Sequence, residues 1–166
     1  MALMVARAVP IEAGPTSSAM AVPHGAASVG VARRRLRSEL GDHAIPDAVI
    51  DDAVLILSEL LSNSCRYARP LALRPDQSDS DDTGAVLVRW RMLADGPLVL
   101  EVTDGGATTR PVPASPSVTA HGGRGLSIVS RLARDWGVRH APGQVTVWAE
   151  LSPFGQVAAG PEARSA

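Results

Sequence analysis

The 166 residues suffice for one domain around one core, which at this size buries about 70% of the surface its unfolded chain exposes. Sixteen basic against seventeen acidic residues leave a formal net charge of −1, a balance that argues against sequence-independent binding to nucleic acid and for small-molecule or protein partners. The one cysteine, Cys65, permits neither an intramolecular disulfide nor a cysteine-paired zinc site.

Residues 1–5 are apolar but lack a basic flank and soon meet Arg7 and Pro10, a poor signal peptide. No stretch reaches the roughly 20 apolar residues that span a bilayer, and no membrane partner is expected; the lone cysteine fits a reducing compartment, with the cytoplasm as the expected one. Residues 1–24, rich in Ala, Pro and Ser, read as a flexible leader ending in a short strand at 19–22. Residues 27–41 read as a helix with Val29, Val31, Ala32, Leu36 and Leu40 available for its buried face and Gly41 to stop it. Arg33, Arg34, Arg35 and Arg37 on this helix are a solvated face, with an acidic docking partner as the alternative.

A longer helix is expected from Pro46, which suits a first helical position, with Asp47 complementing its dipole, to Arg69 before the break at Pro70. At 100° per residue, Ile50, Ala53, Val54, Leu57, Leu61, Ser64 and Ala68 share one side, while Asp52, Glu59, Ser62, Asn63 and Arg66 form a polar stripe opposite. Residues 70–84 read as an acidic surface loop. Strands at 85–93 and 98–103 flank a turn at 94–97, an antiparallel hairpin closed by Asp104-Gly105-Gly106.

Residues 107–121 carry three prolines and no hydrophobic period, a length and composition suited to a lid. Gly122, Gly123, Arg124 and Gly125 lead into a helix at 126–135, and a second hairpin pairs 136–140 with 145–151 before a flexible tail at 153–166. The order of elements predicts an α+β fold: a two-layer sandwich whose mixed, mostly antiparallel sheet is covered by helices on one face, with the functional domain at 25–152.

Three places could carry chemistry. Glu59 and Asn63 stand four apart on the long helix, where a carboxylate can deprotonate a hydroxyl and an amide oxygen can ligate Mg²⁺ without adding charge beside phosphates. Asp104 ends a strand before two glycines, where it can accept from an exocyclic amine while the glycine backbone admits a flat ring. The glycines at 122, 123 and 125 precede a helix whose free N–H groups favour an anion. Each alone also reads as an ordinary solvated face, turn or hinge.

Taken in order, Glu59-x-x-x-Asn63, Asp104-x-Gly106 and Gly123-x-Gly125-Leu126 resemble the N, G1 and G2 boxes of the GHKL ATPases, which share the Bergerat ATP-binding fold. Within that superfamily, the segments 58–63, 123–126 and 146–151 look like the anti-sigma-factor serine kinases related to RsbW and SpoIIAB. The resemblance implies ATP and Mg²⁺ as cofactors, Glu59 as general base, Asn63 as the Mg²⁺ ligand, and Asp104 with Gly106 at the adenine. Gly123, Arg124, Gly125 and Leu126 are implied at the phosphates, Arg66 among the nucleotide contacts, and Thr146 beside the adenine pocket. It implies a sigma factor and a STAS-type anti-anti-sigma protein as partners, with a homodimer also expected. Thr108 and Tyr67 stand where such proteins often carry glycine and histidine. A non-catalytic ATP-binding regulator, a detached histidine-kinase ATP domain and a purely structural domain remain the alternatives.

Overall fold

In a computed structural model, the structure describes residues 9–14, 16–71, 84–93, 96–106 and 124–153. Among the described residues, six strands form one sheet in the order β1-β2-β3-β4-β6-β5, every pairing antiparallel, with helices packed on one face. The expected α+β sandwich is the architecture found.

Strands β1 (Val9–Gly14) and β2 (Ser17–Pro23) come from the segment read as a leader. The sheet therefore begins before residue 25, and the strand expected at 19–22 is longer than its apolar core. β1 escapes the sequence pattern because Pro10 cannot donate to a ladder, a residue tolerated on an edge strand, and the register slips between Pro10 and Glu12.

Helix α1 (Ala27–Gly41) buries Ser28, Ala32, Leu36 and Leu40, one side chain per turn. The Ser28 hydroxyl donates to Pro23 O, tying the helix start to β2. Helix α2 (Asp47–Tyr67) follows Pro46 and buries Val49, Ile50, Ala53, Val54, Ile56, Leu57, Leu60, Leu61 and Ser64, a broad stripe for a helix that packs on the sheet and is flanked by other helices. It stops where Ala68 turns extended, two residues before Pro70, whose ring disfavours helical geometry at Arg69. His24 Nε2–H covers the helix end, donating to Ala68 O at 2.8 Å and Ser64 O at 3.1 Å, carbonyls the helix leaves partly unpaired.

Ala44, in the connection between α1 and α2, has φ 54°, a left-handed conformation in which a Cβ is strained. Because Ala44 is exposed and packs nothing away, Ala44→Gly is expected to stabilise the fold by about 0.5–1 kcal/mol, read as a higher urea midpoint at unchanged slope.

The central strands β3 (Ala85–Met92) and β4 (Leu98–Asp104) send Val86, Val88 and Trp90, and Leu98, Leu100 and Val102, into the core beneath α1 and α2. Trp90 Nε1–H donates to Glu39 and His43 meets the Trp90 ring edge-on at 5.3 Å, so the largest buried side chain keeps its polar atom satisfied. Helix α3 (Arg124–Leu132), starting two residues before the expected 126 and ending three before 135, packs Leu126 and Val129 against α2. The closing hairpin is β5 (Asp135–Ala141) and β6 (Gln144–Leu151), turned at Gly143 with φ 69°. The Trp148 indole lies over Gly137, where an added Cβ would sit 2.8 Å from the ring.

The helix-free face of β4, Val99, Glu101 and Thr103, is buried and not the solvated side a half-exposed strand would show. Glu101 is 6% exposed, ion-paired to Arg139 and 3.9 Å from Arg91, so long side chains cover it in place of a helix. Among the described residues, no helix is long and apolar enough to cross a membrane.

Candidate functional site

Asp104 is the last residue of β4, and the alternation that buries Leu98, Leu100 and Val102 puts its side chain on the helix-covered face. It is 6% exposed, yet both carboxylate oxygens are occupied: Ser64 Oγ–H donates to Oδ2 at 2.6 Å and Gly106 N–H donates to Oδ1 at 2.8 Å. A buried carboxylate persists only with such donors. Gly106 has φ 91°, a conformation glycine takes without strain, and this lets its N–H turn back onto the carboxylate.

The two glycines after Asp104 are held against the end of α2 by main-chain bonds. Arg69 N–H donates to Gly106 O at 2.8 Å, and Gly105 N–H donates to Arg69 O at 2.7 Å. The approach is so close that a Cβ on Gly105 would lie 2.5 Å from Pro70 O and 3.0 Å from Arg69 O. Those oxygens belong to backbone that is itself bonded here, so they cannot yield cheaply. Gly105→Ala is expected to cost about 1–3 kcal/mol of stability, visible as a lower thermal midpoint.

Asn63 precedes Ser64 on α2 and Glu59 lies one turn earlier, both half-buried within the helix. Asp104 thus meets the helix segment that carries the other two polar groups picked out in the sequence. Arg66 is exposed in the last turn of α2. Leu126 places its side chain in the hydrophobic core, 4% exposed. Arg124 and Gly125 fall in the first turn of α3, while Gly123 and the segment 107–121 read as a lid lie outside the described residues, as does most of the acidic loop, 72–83.

Thr146, expected beside the adenine pocket, faces away from the Asp104 carboxylate. Register pairs Asp104 with Val145 and Thr103 with Thr146, and the two threonine hydroxyls bond each other at 2.7 Å on the helix-free face, away from the carboxylate. The reason is the two-residue period of a strand, in which one step along β6 moves a side chain to the other side of the sheet. Val145 takes the place instead, its Cγ2 3.4 Å from where a Cβ on Gly106 would stand.

Ser64, which bonds the Asp104 carboxylate, is a residue that its sequence position assigns to the packing face. Its signal was a hydroxyl on an otherwise apolar stripe, next to Asn63. Cys65 is half-buried near the same carboxylate, and burial, with Asp104 adding to it, pushes its thiol up from the ordinary value, so it is a packing group and a weak nucleophile.

A sheet covered on one face, with a buried strand-end aspartate set by two glycines against a helix bearing glutamate and asparagine, defines a nucleotide-binding α+β domain of the GHKL type. The sequence pattern of the histidine kinase-like ATPase domain matches residues 22–151, and the chain belongs to that family. The fold is similar to the crystal structure of the RsbU and RsbW domains of Rv1364c from Mycobacterium tuberculosis, with TM-score 0.57 and 17% sequence identity. That similarity covers 81% of this chain and 32% of the other, so this chain spans about a third of that protein's length. No curated protein is significantly similar to it in sequence.

Proposed function

We propose that this domain binds ATP with Mg²⁺ and transfers the γ-phosphoryl group to a serine of an antagonist protein, acting as an anti-sigma-type regulator. The observation that carries the reading is the Asp104 carboxylate, buried, held on both oxygens, and set against the helix that bears Asn63 and Glu59. Asp104 accepts from the adenine amine, and Gly106, with no side chain, leaves room for the ring. Phosphates are proposed at the N-terminus of α3, whose first-turn N–H groups, at Arg124, Gly125 and Leu126, the helix leaves free, with the Arg124 charge, Gly123 and Arg66 proposed as further contacts.

The donor set suits a hard cation: Asn63 offers a neutral oxygen and Glu59 a carboxylate. The ion is proposed to come with the phosphates, with Asn63 as its protein ligand. Bound there, Mg²⁺ supplies charge neutralisation. Glu59 takes the proton of the attacking serine hydroxyl as its oxygen bonds to the γ-phosphorus and the bridging oxygen leaves with ADP.

The RsbW domain in the similar structure and the sequence resemblance together support a STAS-type protein as the phosphorylated antagonist and a sigma factor as the partner held in its absence. The test is label transfer from γ-labelled ATP to a purified STAS-type protein, with mass spectrometry to place the phosphate. Phosphoserine on the antagonist is the expected result. Tight ATP binding with no transfer to any such protein would favour a regulator that uses nucleotide only to set its shape.

A further inference from the structure

We infer that Ser64 is a positioning residue that sets the pocket's preference for a purine bearing an exocyclic amine, an inference that rests on the nucleotide-binding reading above. Ser64 is 5% exposed on the buried stripe of α2, where its neighbours one turn back are Leu60 and Leu61. A hydroxyl in such a place needs a partner, and the one it has is Asp104 Oδ2 at 2.6 Å. The second donor, Gly106 N–H, holds Oδ1 at 2.8 Å.

An ionised carboxylate offers about four acceptor sites, and these two bonds take one on each oxygen. Two anchors on different oxygens fix the carboxylate plane as well as its position. The remaining acceptor sites then point in set directions, which is what distinguishes a ligand N–H from a ligand lone pair. An amine satisfies them; a ring carbonyl in the same place sets oxygen against oxygen, and a bare C–H leaves them unpaired. Without the Ser64 hydroxyl, Gly106 N–H is the one anchor left of the two, and the carboxylate gains freedom to turn about its Cβ–Cγ bond. The gain from an amine falls, while contacts to sugar and phosphates, made by other residues, persist.

The test compares ATP with purine riboside triphosphate, which lacks only the 6-amino group, by calorimetric titration of wild type and Ser64→Ala in the presence of Mg²⁺. The readout is the ratio of the two dissociation constants, which a general loss of stability leaves unmoved because it weakens both ligands alike. Ser64→Ala is expected to reduce the preference for ATP by about 5- to 20-fold, with purine riboside triphosphate affinity changed by less than about twofold. If the alanine variant does not fold, Ser64→Cys keeps the volume with a weaker donor and is expected to lower the ratio in the same direction. A ratio unchanged or raised in the folded variant overturns the role of Ser64 and leaves nucleotide binding intact. Absence of ATP binding by the wild type overturns the underlying reading as well.

Discussion

Glu59→Ala is expected to retain ATP affinity and to lower phosphoryl transfer by about 10²–10⁴, the usual contribution of a positioned general base. The separation of the two effects follows from position. Glu59 sits in the middle of α2, with Leu57, Leu60 and Leu61 around it buried in the core, so the backbone that also carries Asn63 and Ser64 stays where it is. Alanine is the best helix former and glutamate among the good ones, so the exchange costs the helix little. Asp104, Ser64 and Gly106, which the proposal places at the adenine, are hydrogen-bonded to one another and not to Glu59. Equal transfer by variant and wild type, measured in single turnover with the same antagonist, would remove Glu59 from the mechanism. A loss of affinity in step with the loss of transfer would assign it to binding instead.

Asp104→Ala is expected to weaken ATP binding by about 5- to 150-fold, corresponding to roughly 1–3 kcal/mol for an amine left unpaired in a buried site. The same change strips a partner from the Ser64 hydroxyl and from Gly106 N–H. A second effect follows, a loss of folding stability of about 1–3 kcal/mol, because buried donors pay their desolvation when the acceptor is gone. Asp104→Asn separates the two: it keeps the shape and one acceptor oxygen but turns an N–H₂ toward one of the two donors. Nucleotide affinity and denaturant midpoint measured on both variants check this, and an Asp104→Ala protein that binds ATP as wild type does would refute the adenine pocket.

The helices and hairpins were legible because their signals are local. The i, i+4 stripe of Ala32, Leu36 and Leu40 and the polar-apolar split of residues 47–67 each exceed a turn of sequence, and the breaks at Gly41 and Pro70 mark their ends. Asp104 with its glycines was legible as a strand end for the same reason. What sequence could not supply was register. Thr146 against Val145 is decided by which residue of β6 faces Asp104 across the ladder, a one-residue matter that no pattern within β6 fixes, since Val145, Thr146 and Val147 all suit a strand.

The strand β1 and the role of Ser64 were hidden differently. β1 gains its place from antiparallel main-chain pairing with the neighbouring β2 along the sheet edge, which overrides the prolines and small residues of the N-terminal segment. Ser64 is small enough to pass as packing on the apolar stripe, and only its approach to a residue forty positions away in sequence reveals a polar purpose. Glu101, a carboxylate in the middle of a central strand, likewise depends on Arg91 and Arg139 arriving from two other strands.

The measurement that bears most directly on the account is calorimetric titration of the purified chain with ATP and Mg²⁺, repeated on Asp104→Ala. A dissociation constant in the micromolar range, weakened in the variant as above, is the predicted result. Absence of binding up to millimolar ATP would contradict it, leaving a domain that keeps the fold of an ATPase with a pocket that takes no nucleotide.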